Sequence, residues 1–204
     1  IWLRGSRYFT LALVLVSPST LYADHHGQSD HVLKPVTDER LINSKANYAD
    51  WLMYGGNFEN WRYSPLADIN RDNVKKLQAA WLFQTGVPGQ LESAPVVADG
   101  ILYLASHEGA FFAFEAKTGK VLYEKEIVSR SRDRPVYASP VLVNGRIYCV
   151  TRKRGTYVFA ASSEFKQLAN NRFANDESDF NASPAVSDGQ IFIRSNQFLY
   201  CIEE

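Results

Sequence analysis

Cysteine is scarce: the 204 residues hold only Cys149 and Cys201, which excludes both a disulfide-stapled scaffold and a four-cysteine zinc site. An excess of either charge is missing too. The 22 basic side chains are matched by 22 acidic ones, so a strongly basic nucleic-acid binder and a long acidic tail are ruled out. No run of apolar residues reaches the roughly 20 needed to cross a bilayer as a helix. What the chain does have is aromatic side chains, 12 Phe, 11 Tyr and 4 Trp. Its glycines and prolines recur in similar surroundings, and the combination favours strands and turns over a helical bundle.

Arg4 and Arg7 precede a short apolar run from Phe9 to Val16, and Leu21, Tyr22 and Ala23 then offer a small residue at a cleavage point. This layout reads as a secretory signal peptide or N-terminal anchor over residues 1–23. Export to the periplasm or the exterior follows as an expectation, with membrane contact only through an uncleaved N-terminal segment. Residues 24–47 are polar and lack periodicity, and read as a linker. His25, His26 and His31 fall in it, close to Asp24 and Asp30. A flexible tract holds no coordination geometry, so these imidazoles read as a solvated tail and no metal is assigned.

From residue 48 onward the chain repeats itself. Ser93-Ala-Pro-Val-Val-Ala-Asp-Gly-Ile-Leu-Tyr103, Ala138-Ser-Pro-Val-Leu-Val-Asn-Gly-Arg-Ile-Tyr148 and Ala182-Ser-Pro-Ala-Val-Ser-Asp-Gly-Gln-Ile-Phe192 align without gaps. Their prolines, Pro95, Pro140 and Pro184, stand 45 and 44 residues apart. Gly100, Gly145 and Gly189 each follow Asp or Asn between short apolar runs, the signature of a type I′ hairpin. A proline at the start of the first strand is tolerated because that position can forgo a donor. Each unit continues with further short strands, at 101–105, 110–115 and 121–127, then 147–151, 156–160 and 167–173, then 191–194 and 198–202. Four antiparallel strands per repeat make a β-propeller blade. The fold class is therefore all-β, a partial propeller of about three blades near 94–127, 138–173 and 182–202. The segment 77–85, with Trp81 and Phe83 in alternation, is expected to add a strand that completes the last blade and removes an open edge.

At this point the residues resemble a family. Trp51-Leu-Met-Tyr-Gly55, Arg62-Tyr-Ser-Pro-Leu66, Ile69, Asn73-Val74, Leu77, Ala80-Trp81 and Thr85-Gly86 are similar to the opening of pyrroloquinoline-quinone (PQQ) dependent alcohol dehydrogenases. Ala113, Glu115, Thr118, Gly119 and Tyr123 resemble the tryptophan-docking motif of that family, with Glu for Asp and Tyr for Trp. From about Tyr137 the chain looks instead like PQQ-like repeat proteins without established chemistry. The resemblance implies a quinone cofactor in a central tunnel, a calcium ion, an Asp base and an adjacent-cysteine disulfide. The sequence has no adjacent cysteines, and both of its thiols read as buried and free. Glu92 matches the acidic residue that contacts the quinone, so PQQ with calcium is implied through this one position.

The repeat suggests a ligand surface of its own. Three residues before each proline stand Glu92, Tyr137 and Asn181, where the chain enters the innermost strand at one mouth of the channel. With Arg134 nearby, these are the candidate ligand residues. Arg130, Arg132, Arg134, Arg146, Arg152, Lys153 and Arg154 make the middle unit basic, and His107 with Glu108 marks a hairpin tip without a third metal partner. The leading expectation is a binding or scaffold module without a complete catalytic site, working with a protein partner or further blades and without nucleic acid. The alternative is a truncated PQQ-dependent alcohol dehydrogenase.

Overall fold

A computed structural model of the chain describes residues 33–86, 93–129 and 135–203. The signal-like segment, the histidines of the tail, Glu92, Arg130, Arg132 and Arg134 lie outside the described residues. Three antiparallel sheets follow one another. The first holds β1 (Val96–Ala98), β2 (Ile101–Ala105), β3 (Ala110–Glu115) and β4 (Val121–Glu126). The second holds β5 (Val141–Val143), β6 (Arg146–Val150), β7 (Thr156–Ala160) and β8 (Gln167–Asn171). The third holds β9 (Ala185–Ser187), β10 (Gln190–Arg194) and β11 (Leu199–Ile202). Strands within each sheet neighbour one another in chain order, the meander of a propeller blade.

Each blade opens one residue after its proline and turns where the sequence says it should. Asp99, Asn144 and Asp188 adopt φ of 48°, 46° and 50°, and the glycines after them 81°, 70° and 77°. Both central turn residues are thus left-handed, as a type I′ hairpin requires. The repeat extends below the level of secondary structure. Pairing between the third and fourth strands slips at Ala113/Phe114 and again at Val158/Phe159, which are equivalent places in the two units.

The blades pack face to face through the alternation of their strands. Phe111 and Ala113 of β3 turn toward the second blade and join Tyr103, Ile147, Cys149 and Phe159 in the largest apolar cluster. Phe111 stacks on Phe159 with ring centroids 4.7 Å apart. The opposite face of β3 carries Ala110, Phe112 and Phe114. The second and third blades meet through Ala138, Val150, Phe180 and Ile193, with Phe173 and Tyr200 stacked 3.8 Å apart beside them.

Three expectations need correction. Residues 77–86 form no strand and do not complete the third sheet, which has three strands among the described residues. They run extended, with Leu82 80% exposed on one side, and lay Trp81 and Phe83 on Phe112 and Phe114 of the first blade. The alternation was right about direction; the rings went to the nearest uncovered apolar face. The stretch read as a polar linker carries secondary structure among its described residues, 33–47. It holds a short helix, α1 (Asp38–Ile42), and a 3-10 turn (Ser44–Ala46). Thr37 caps α1 by accepting from the Arg40 N–H, with Asp38 and Glu39 in the first turn. Arg40 then clamps the segment to the first blade, bonding Asp50 at 2.6 Å and Asp99 at 2.9 Å.

The third correction concerns the thiols. Both cysteines are free, but Cys149 is buried and Cys201 is exposed on β11. Burial pushes the Cys149 thiol up to about 12. A thiolate-specific reagent at neutral pH is expected to label one thiol per folded chain, mapped to Cys201 by peptide mass analysis, and both after denaturation. Labelling of Cys149 in the folded protein would contradict this packing.

Candidate functional site

The three innermost strands are tied to one another by serines. Ser139 Oγ accepts from the Ala94 N–H at 2.9 Å, and Ser183 Oγ accepts from the Ser139 N–H at 2.8 Å. Ala94, Ser139 and Ser183 each stand immediately before a blade's proline, so the prolines gather about a shared hub.

A second ring of bonds lies at the face where the chain enters those strands. Twelve residues after each proline, at the hairpin between second and third strands, stand His107, Arg152 and Asn196. The carbonyls of His107 and Arg152 accept from the Val136 and Phe180 N–H groups of the following blade's entry. The N–H groups of Arg152 and Asn196 donate to the Pro135 and Asp179 carbonyls of their own blade's entry. Backbone bonds thus bring the hairpin tips and the entry segments, the two sets of residues singled out by the repeat, to one mouth.

Side chains converge there as well. The Arg152 guanidinium lies 4.9 Å over the Tyr137 ring and pairs with the Asp179 carboxylate. Lys153 Nζ faces the same carboxylate at 3.5 Å. Tyr137 is half-buried under this pair, and Asn181 follows two residues after Asp179. Three buried polar atoms on the entry and hairpin residues have no hydrogen-bond partner among the described residues: Ser93 Oγ, His107 Nδ1 and Asn181 Oδ1. Such atoms are rare in folded proteins and point to a bound group or a chemical task. Behind them, Asp176 fixes the entry to the third blade. Its burial pulls the carboxyl upward, but bonds from Ser178, Ser195 and Tyr200 outweigh this and bring it to about 2.

The docking motif plays a structural part, with an unexpected partner. Thr118 donates to the Glu115 carboxylate, and the Gly119 N–H donates to the Glu115 carbonyl at 2.9 Å across the tight turn. Gly119 has φ of 72°, and a Cβ there would stand 2.5 Å from the Trp81 ring. Trp81 Nε1 donates to the Ala116 carbonyl at 3.1 Å. The tryptophan that docks on this turn is therefore Trp81, from the segment before the blade. Tyr123 instead packs between blades, meeting Phe165 edge-on at 5.6 Å rather than flat. Its hydroxyl is buried without a partner, and burial raises its pKa. Sequence reasoning missed the serine ties and the docking by Trp81. The recurrence of Ser before Pro140 and Pro184 was the available signal for the first.

Residues 51–140 match the family model described as PQQ, glucose/ethanol/alcohol dehydrogenase, beta-propeller domain. The dehydrogenase subunit of the quinone alcohol dehydrogenase of Gluconacetobacter polyoxogenes is 31% identical over 118 residues, 55% of this chain and 16% of that protein. The quinoprotein ethanol dehydrogenase of Pseudomonas aeruginosa is 40% identical over 92 residues, 44% of this chain and 15% of that protein. The chain thus spans about one sixth of the length of these relatives. In fold it is similar to a quinohemoprotein alcohol dehydrogenase of Pseudomonas putida (TM-score 0.65, 19% identity, 81% of this chain and 25% of that one). It is similar also to a europium-containing methanol dehydrogenase (TM-score 0.64, 20% identity, 81% of this chain and 32% of that one). Blade topology and the sequence match agree: residues 51–140 are similar to the PQQ-type β-propeller domain of the quinone-dependent alcohol dehydrogenases.

Proposed function

We propose that the chain acts as an exported PQQ-type propeller segment whose mouth is a binding surface, without a complete catalytic site of its own. The observation that carries this reading is the set of partnerless buried atoms, Ser93 Oγ, His107 Nδ1 and Asn181 Oδ1, on residues that enter or cap successive blades. Tyr137 supplies an aromatic face beside them; Glu92 and Arg134 lie outside the described residues and join the proposal on sequence alone, Glu92 by its place in the repeat and Arg134 as a near neighbour of Tyr137 in the chain. Protein partners or further blades are proposed to cover the open sides of the sheets. Export rests on the signal-like first 23 residues; among the described residues, no helix is long and apolar enough to cross a membrane.

The described residues do not by themselves supply the charges and ligands that PQQ and calcium, the cofactors implied by the resemblance, would need. A flat tricarboxylate calls for unengaged cations, whereas Arg152 is held by Asp179 and Tyr137. No group of three metal-ligating side chains exists among the described residues.

A second reading, a segment of a quinone-dependent alcohol dehydrogenase, is favoured by the 40% identity over 92 residues to an ethanol dehydrogenase. One experiment separates the two. The chain is mixed with PQQ and calcium, passed through gel filtration, and assayed for dye reduction by ethanol. The binding-module reading expects no turnover. Quinone absorbance that travels with the protein and reduces the dye would overturn it in favour of the second.

A further inference from the structure

Away from the hub, the N-terminal segment forms a cavity of about 170 Å³ with four aromatic side chains in its wall. Tyr48, Trp51, Trp61 and Tyr63 line it, with Ser44 and Asn57 between them. The Trp51 ring is seated on Gly56, where a Cβ would stand 2.9 Å from it. The loop that carries Trp61 and Tyr63 is closed by Arg62, which stacks 4.7 Å over Tyr54 and donates to its hydroxyl at 2.6 Å. Trp61 and Tyr63 remain 64% and 67% exposed; Lys45 covers one face of Trp61, which leaves its other face and the Tyr63 ring available at the rim.

The charges of the cavity are settled internally. Asp50 accepts from Arg40 and from Asn47, both at 2.6 Å. Lys45 pairs with Glu59 at 2.5 Å and lies 4.7 Å over the Trp61 ring. A free ion of either sign therefore meets no unpaired counter-charge here. What remains on offer is flat aromatic surface and neutral polar groups. Among the latter, Ser44 Oγ is buried without a hydrogen-bond partner. Aromatic faces suit the C–H faces of a ring, and a neutral hydroxyl or amide suits its alcohol groups. The volume is below the roughly 300 Å³ at which pockets for drug-sized ligands begin, which restricts the cavity to a single ring of a longer ligand.

We propose that this cavity is a saccharide-binding subsite. It takes one neutral sugar ring of an oligosaccharide against Trp61 and Tyr63, with a ring hydroxyl bonded to Ser44 Oγ. The site is independent of the hub mouth and of any quinone chemistry.

The test is calorimetric titration of the full chain with cellotetraose, maltotetraose and tetra-N-acetylchitotetraose. At least one is expected to bind saturably. Trp61→Ala is expected to weaken that binding by about tenfold or more, the loss of one stacking face, and Trp61→Phe to retain most of it. Ser44→Ala is expected to weaken it several-fold, as loss of one hydrogen bond does. Because Trp61 is mostly exposed, its replacement leaves the fold intact, which circular dichroism verifies. Absence of binding by all three sugars at millimolar concentration overturns the proposal. So does binding that Trp61→Ala leaves unchanged.

Discussion

Replacing Phe111 by alanine is expected to cost about 3–5 kcal/mol, the usual toll of deleting a fully buried aromatic side chain. Phe111 has no solvent exposure and sits among Tyr103, Tyr123 and Phe159. Its ring is the contact through which the first blade grips the second, so the cavity left behind lies at an interface that two sheets share. Phe111→Leu preserves most of the volume and is expected to cost under ~1.5 kcal/mol. Urea denaturation followed by circular dichroism measures both. A cost below about 1 kcal/mol for Phe111→Ala, far under the range for buried aromatics, would mean that the blades are held together elsewhere.

Removing the Arg40 guanidinium is expected to be comparably damaging, about 3–5 kcal/mol, because it strands two carboxylates in a shielded place. The Asp50 and Asp99 side chains are only 4% and 16% exposed. Burial pulls the Arg40 pKa down, yet Asp99 and Asp50 outweigh it and hold the group above its ordinary value. The arginine also reaches the Lys34 carbonyl at 2.8 Å, while the Lys34 N–H donates to Asp99. Arg40→Ala should therefore release residues 33–50 from the first hairpin before the blades themselves unfold. Limited proteolysis detects this as early cleavage within that segment. The double variant Arg40→Ala with Asp99→Asn is expected to recover part of the loss, because one orphaned charge is gone. Equal protease resistance of Arg40→Ala and the parent chain would refute the clamp.

How well the sequence could be read depended on how locally each feature is determined. The hairpin turns were legible because Asp-Gly and Asn-Gly set their own backbone angles, and the φ values at Asp99, Asn144 and Asp188 follow from that pair of residues. The strand limits of β2, β3 and β7 came from alternation bounded by such turns. The destination of residues 77–86 was not legible. An extended amphipathic segment looks the same whether it pairs at a sheet edge or lies across a face, and only the uncovered rings of Phe112 and Phe114 decide. Arg40 was hidden for a similar reason, since its partners are 10 and 59 residues away. At the mouth, spacing from the prolines marked Tyr137 and Asn181 as entry residues. It did not reveal Asp179, whose role depends on where the Arg152 hairpin folds back.

The serine ties at the hub have a direction. The first and second blades each hold out an N–H that the succeeding blade receives with a hydroxyl immediately before its proline. Ala94 has no such hydroxyl. The three units, so similar in outline, are therefore not interchangeable modules: a shuffled or permuted chain with the first unit in the middle would leave its neighbour's donor unanswered. The order of the repeats is written at the axis, by one oxygen atom in each of the second and third units.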